Sequence, residues 1–282
     1  MLNDRSPMLF EDVSLTLCGR QFFDGIGLEV FEGETIVVAG PTGCGKSLLL
    51  RLVLGLPGML GLPGMSAGDV NVSGNIRVCG QRLSDLGIAQ VQALRRQIGT
   101  VFRGGGLIDN MDVHRNITLP LYYHCYDFMS PNQMDARCRQ VLGDLGLDHL
   151  DEAGRRPVTL NGLERVYVAL ARAFIGDPYI LLLDDPASGL GSRTATRLME
   201  QVFYEPRFAD GIATHERCGQ PLTRLIVTTE LDYYLPYGDR FFIIDELKVT
   251  EVGDRSAVIS CELDVVKDLL AFDYQLVNTL GF

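Results

Sequence analysis

No apolar run in this sequence reaches the ~20 residues a membrane helix requires, and the opening Met1-Leu2-Asn3-Asp4-Arg5 has neither the basic nor the apolar region of a secretory signal. The expectation is a cytosolic chain that does not itself span a membrane. Basic charge is also scarce: 25 Lys and Arg stand against 36 Asp and Glu, for a net charge of -11 and a pI near 4.8. A phosphate backbone would be repelled over most of such a surface, so nucleic acid is excluded as an expected partner. Paired cysteines are missing. The seven are odd in number and scattered without a CxxC pair, and a chain of this size needs no staples, so they read as reduced thiols. The four histidines show no ligand-like spacing among themselves or with cysteines, which leaves no metal site outside the motif described next.

The 282 residues are 46% hydrophobic and 22% charged, a balance that can bury one large core or two joined lobes. Thr35-Ile36-Val37-Val38-Ala39 is a continuous apolar run that reads as a buried strand. It enters Gly40-Pro41-Thr42-Gly43-Cys44-Gly45-Lys46-Ser47, a GxxxxGKS loop, and residues 48–54 then read as a buried helix. The motif follows from electrostatics. Glycines at 40, 43 and 45 allow a backbone path whose N–H groups point inward at a helix N-terminus, where partial positive charge meets phosphate. Lys46 would reach the β and γ phosphates, and the Ser47 hydroxyl would take a position on magnesium. The ligand implied is a nucleoside triphosphate with Mg2+. Cys44 lies at the same helix start, where a thiol pKa can fall and oxidation could block the loop, but the favoured reading is a small residue that the loop tolerates.

Further along, residues 10–17 and 27–31 alternate as short strands, 70–83 read as hairpin strands, 89–97 as a short helix and 98–102 as another strand. A doubled Leu-Pro-Gly-Met within residues 56–65 is too short for a solenoid and reads as a loop insertion. Residues 109–174 carry helical patterns. Tyr179-Ile180-Leu181-Leu182-Leu183-Asp184-Asp185 is apolar throughout up to its acidic end, as in a strand covered on both faces of a parallel sheet, and residues 224–228 and 240–244 resemble it. Asp184, closing such a strand, would contact magnesium directly or through water. The polar stretch 203–221 reads as an inserted loop. Apolar residues at Val265, Leu269, Leu276 and Leu280 predict an amphipathic helical tail, packed on its own domain or used as a dimer contact.

In this order the motifs resemble the ATP-binding subunits of ABC transporters over nearly the whole chain. Glu32-Gly33-Glu34 precedes the P-loop strand, residues 94–102 look like the approach to a Q-loop, and residues 168–173 look like the helix after the signature motif. Leu183-Asp184-Asp185-Pro186, followed by Ser188-Gly189-Leu190, looks like Walker B and the D-loop. Within the family, residues 106–113, continuing to Asn116 and Leu119-Pro120-Leu121, are most similar to ATPases of bacterial MCE-type lipid-transport systems.

The resemblance implies an α/β fold: a P-loop NTPase core with a mainly parallel sheet, an N-terminal antiparallel β portion and an inserted helical lobe. Residues 1–108 and 175–253 would form the core, 109–174 the lobe and 254–282 the tail. It also implies bound ATP and Mg2+, a second ATP-binding subunit in a homo- or heterodimer, and a transmembrane permease that would hold the chain at the cytoplasmic membrane. Leu119, Leu121, Tyr122, Tyr123 and Tyr126 would then line a groove for the permease, or else belong to the lobe's core.

The departures from the family pattern concern hydrolysis. Asp185 stands where the family has a catalytic Glu and is one methylene shorter; a misplacement of ~1 Å can cost ~10²-fold in rate. Arg103 replaces the Q-loop glutamine and has no acceptor for a cation. Thr229 replaces the switch histidine, Gly191 the D-loop aspartate, and Leu17 the aromatic that stacks on adenine. The signature LSGGQ is Leu160-Asn161-Gly162-Leu163-Glu164, where Leu163 adds bulk and Glu164 adds charge. The expectation is a chain that binds ATP and hydrolyses it slowly, with Asp185 as a weakened base. The alternatives are a regulatory or structural pseudo-ATPase that does not power transport, and an ordinary ATPase kept running by compensating residues.

Overall fold

Met8, Phe10, Val13, Leu15 and Leu17 are the buried apolar positions of the first strand, β1 (Met8–Leu17), and their spacing changes phase between Phe10 and Val13. A β-bulge accounts for the change. Asp12 takes a φ of 51°, and the pairing register shifts across the same residues on both sides of β1, so both apolar sets reach one face. The strand pairs antiparallel with β2 (Arg20–Val30) and β4 (Val70–Val78), and β4 with β5 (Gln81–Arg82), giving a sheet of order β2-β1-β4-β5. This is the expected N-terminal antiparallel portion.

The structure, a computed structural model, describes residues 6–55, 69–124, 129–150, 154–204 and 221–270. The chain divides into two compact units, one of residues 1–91 with 223–282 and one of residues 92–222. In the first unit, every residue of β3 (Thr35–Ala39) and β8 (Thr223–Thr228) is buried. β3 runs parallel to β8 and to β9 (Arg240–Asp245), and β10 (Lys248–Gly253) adds an antiparallel strand against β9. Parallel strands covered on both faces need apolar residues without alternation, which is why these runs were readable from sequence. The P-loop leaves the end of β3 and enters α1 (Lys46–Val53).

The end of this unit departs from the expected tail. One helix through residue 280 was expected, whereas the described residues hold α7 (Arg255–Ile259), capped by the Asp254 carboxylate on the Ala257 N–H, and α8 (Asp264–Leu269). Leu269 is buried as expected, Val265 is half-buried, and Val266 beside it is also buried in α8. Leu276 and Leu280 lie outside the described residues, as do the doubled Leu-Pro-Gly-Met and most of the 203–221 stretch.

In the second unit, β6 (Ile98–Val101) pairs parallel with β7 (Ile180–Asp184). α2 (Ile88–Arg95) leads into it, followed by α3 (Val113–His124), α4 (Pro131–Asp144), α5 (Gly162–Phe174) and α6 (Ser192–Tyr204). α5 packs on both α3 and β6, and this explains why the stretch from Val166 to Ala171 is buried without interruption. Arg137 on α4 donates to Asp177 at 2.6 Å and to the Ile175 carbonyl, fastening α4 to the turn after α5. Among the described residues no helix is long and apolar enough to cross a membrane.

Candidate nucleotide-binding site

The first unit carries the loop from Gly40 to Ser47 in the form the motif requires. Gly45 precedes α1 with φ 106°, a conformation that strains any residue with a Cβ, and Gly43 is also left-handed at φ 83°. At Gly40 the constraint is space: a Cβ there would stand 2.9 Å from both Cys44 Sγ and the Ile244 carbonyl. At Gly43 nothing lies within 4 Å of such an atom, so the crest of the loop opens outward. The Gly40 N–H donates to the Thr228 carbonyl at 3.2 Å, anchoring the loop to the end of β8.

Lys46 is only 8% exposed, and its ammonium donates to the carbonyls of Gly40 and Pro41, each at 2.7 Å. The cation thus lies folded across the loop that would hold the phosphates. Pro41 and Thr42 are exposed on the rim, Ser47 is half-buried on the first turn of α1, and Cys44 is half-buried with Sγ 3.8 Å from Lys46 Nζ. The expected fall in the Cys44 pKa does not occur. Burial pushes the thiol up, and the nearby Lys46 charge only opposes this in part. The thiol is therefore protonated at neutral pH, and the tolerated-loop-residue reading stands.

In the second unit, Asp184 ends β7 at 8% exposure and Asp185 follows at 3%, with φ 48°. A left-handed aspartate costs on the order of 1 kcal/mol and aims the side chain away from the strand direction. Arg103, at the Q-loop position, reaches this carboxylate. Its Nε and Nη2 donate to Ser188 Oγ at 2.9 and 2.7 Å, and Nη2 stands 3.9 Å from Asp185 Oδ2. The Q-loop glycines are fixed from beneath, where Arg172 donates to the carbonyls of Gly105 and Gly106 at 2.8 and 2.9 Å. The structure therefore brings Arg103, Asp185 and Ser188 together.

The signature segment begins α5. Asn161 Oδ1 accepts from the Glu164 N–H and Glu164 Oε2 accepts from the Asn161 N–H, each at 2.9 Å, a reciprocal cap. Arg155 pairs with Glu164 at 2.7 Å. Burial works to raise the Glu164 pKa, but the Asn161 N–H and Arg155 outweigh it and hold the carboxyl below its ordinary 4.5. The charge that Glu164 introduces is thus balanced by Arg155. Leu163 is half-buried and Leu160 is buried.

Residues 23–188 match the family model described as ABC transporter. The chain belongs to the ABC transporter family. It is 30% identical over 246 residues to the methionine import ATP-binding protein MetN of Caulobacter vibrioides, covering 86% of this chain and 66% of that protein. It is 29% identical to the lipoprotein-releasing system ATP-binding protein LolD of Chromohalobacter salexigens, covering 81% and 84%. The dimeric post-hydrolysis structure of the ATP-binding cassette MJ0796 bound to ADP and Pi matches with a TM-score of 0.68 at 24% identity, over 87% of this chain and 98% of that one. At that identity the likeness shows the fold. The chain spans 41% to 66% of the length of the import ATPases it matches. ABC ATPase cassettes bind ATP with Mg2+, and the loop fits such a ligand: its crest is open at Gly43, it leads into a helix start, and the Lys46 ammonium already lies in the cradle.

Sequence reasoning missed three arginines. Arg20 on β2 donates to the Gly43 carbonyl at 3.2 Å, Arg155 neutralises Glu164 from outside the motifs, and Arg172, inside the 168–173 stretch, fastens the carbonyls of Gly105 and Gly106. Only the reach of a long side chain across the fold reveals such partners, so no local signal could have found them.

Proposed function

We propose that the chain is the ATP-binding subunit of an ABC transporter, holding Mg-ATP at a dimer interface, acting on a membrane permease at the cytoplasmic face, and hydrolysing slowly. The observation that carries this reading is the contrast between the complete Gly40 to Ser47 loop and an Asp185 carboxylate that faces Arg103. The backbone amides of the loop would hold the phosphates, and Lys46 would exchange the carbonyls of Gly40 and Pro41 for phosphate oxygens. Ser47 and Asp184 would hold the metal. Bound Mg2+ would supply neutralisation of the charge that develops on the phosphates. Arg103 would compete with water for the Asp185 carboxylate.

The cargo class we propose is lipid. It is supported by the similarity of residues 106–121 to lipid-transport ATPases and by LolD, a lipoprotein-releasing relative. The first part of that stretch is a defined loop, because buried Asn116 accepts from the Ile108 N–H and donates to the carbonyls of Ile108, Met111 and Asp112. Of the aromatic and aliphatic residues beyond it, Leu121 is core, while Tyr122 and Tyr123 are exposed on α3 and suit contact with a permease; Tyr126 lies outside the described residues.

A second reading, a pseudo-ATPase whose ATP-bound dimer regulates an assembly without powering it, is favoured by the Arg103 contact to Asp185. Purification under mild detergent, with Mg-ATP or without nucleotide, tests the assembly. The transporter subunit brings down a polytopic membrane protein and dimerises with ATP; a monomer under both conditions, with no membrane partner, would rule out both readings.

A further inference from the structure

Leu17, where the family pattern has its adenine-stacking aromatic, is 9% exposed and belongs to the core of the antiparallel sheet, so it offers no face to a base. An aromatic does lie beside the phosphate loop, on the next strand. Phe22 Cδ1 comes within 3.3 Å of where a Cβ on Gly45 would stand, which places the ring against the start of α1. The guanidinium carbon of Arg20 sits 4.7 Å from the centroid of that ring. The same guanidinium donates to the Gly43 carbonyl at 3.2 Å. A flexible side chain is thus held in one plane, by a π face below and a loop carbonyl at its edge.

Arg20 is exposed, so its second planar face is turned to solvent beside the open crest at Gly43. A guanidinium is weakly hydrated and stacks on planar rings, whereas an ammonium does not. We propose that Arg20, backed by Phe22, is the platform on which the base of a bound nucleoside triphosphate stacks, replacing the aromatic that Leu17 fails to supply. The proposal rests on the reading that Gly40 to Ser47 hold the phosphates. Because every base has a π face, a stacking platform without edge-on donors discriminates little between bases. ATP and GTP therefore bind within about tenfold of each other.

Equilibrium titration of the full chain with Mg-ATP, Mg-GTP and Mg-tripolyphosphate tests the platform, with thermal midpoints recorded for every variant. Arg20→Ala weakens both nucleotides by about tenfold or more and leaves tripolyphosphate unchanged. Arg20→Lys, which keeps the charge and loses the plane, weakens the nucleotides similarly, and Phe22→Leu does so to a smaller extent. Equal weakening of all three ligands by Arg20→Ala would make Arg20 a phosphate contact and overturn the platform, as would unchanged nucleotide affinity. Lys46→Ala separates the two levels: it removes tripolyphosphate binding if the loop holds phosphates. A wild-type chain that binds none of the three probes overturns the loop reading and the platform together.

Discussion

The loop from Gly40 to Ser47 and the surroundings of Asp185 are built by different means. The first is mostly backbone: left-handed glycines ahead of a helix start and a carbonyl pair that receives Lys46. The second is built from side chains, and there Arg103, Ser188 and Asp185 form a contact of their own. A backbone cradle is preserved as long as its glycines are. A side-chain constellation can be altered one residue at a time without disturbing the fold, and the proposed slow hydrolysis rests on that difference.

The comparison can be broken most easily at Lys46. Lys46→Ala removes a charge-assisted contact and lowers Mg-ATP affinity by about 10²-fold in equilibrium titration; an unchanged affinity would mean that the backbone alone binds. On the other side, Asp185→Glu with Arg103→Gln restores carboxylate reach and removes the competing cation, raising the single-turnover rate by about 10²-fold. Asp185→Glu alone gives less. A double variant as slow as the wild type would make Thr229 the limiting residue.

Smaller effects sharpen the contrast. Gly40→Ala drives a methyl against Cys44 Sγ and the Ile244 carbonyl and lowers stability by about 1–3 kcal/mol in chemical denaturation, whereas Gly191→Ala, which meets nothing within 4 Å, is close to neutral. The smallest effect is on the signature segment in acid. Because Glu164 is held below its ordinary 4.5 in the folded chain, the stability it contributes is present above that value and is lost as pH falls through the depressed folded pKa. The stability difference between wild type and Glu164→Gln, followed by thermal midpoint from pH 6 to pH 3, shrinks in that window, and Arg155→Ala flattens it.

Continuous apolar runs made β3, β7 and β8 legible in the sequence, because a strand covered on both faces keeps apolar residues through its middle and admits polar ones, such as Thr35, Arg224 and Asp184, towards its ends. The motif from Gly40 to Ser47 was legible for a similar reason, each glycine answering a local backbone need. β10 and α7 were not: β10 alternates exposed Lys248, Thr250 and Glu251 with half-buried neighbours, and α7 is a single short turn defined by the Asp254 cap. The substitutions at 103, 185 and 164 could be read as residue types, but their partners could not. Arg103 meets Ser188, Glu164 meets Arg155 and Arg20 meets Phe22 and Gly43 only in the folded chain. The Cys44 pKa turned on burial, which the motif's position at a helix start does not reveal.

Single-turnover hydrolysis and Mg-ATP affinity, measured on the same preparation with Lys46→Ala as the control, test the central claim most directly. The account predicts binding that depends on Lys46 and a bound nucleotide that is cleaved slowly, with the Arg103→Gln, Asp185→Glu chain cleaving faster. Rapid cleavage by the wild-type chain, abolished by Lys46→Ala, would contradict it and show that Asp185 orients water despite Arg103.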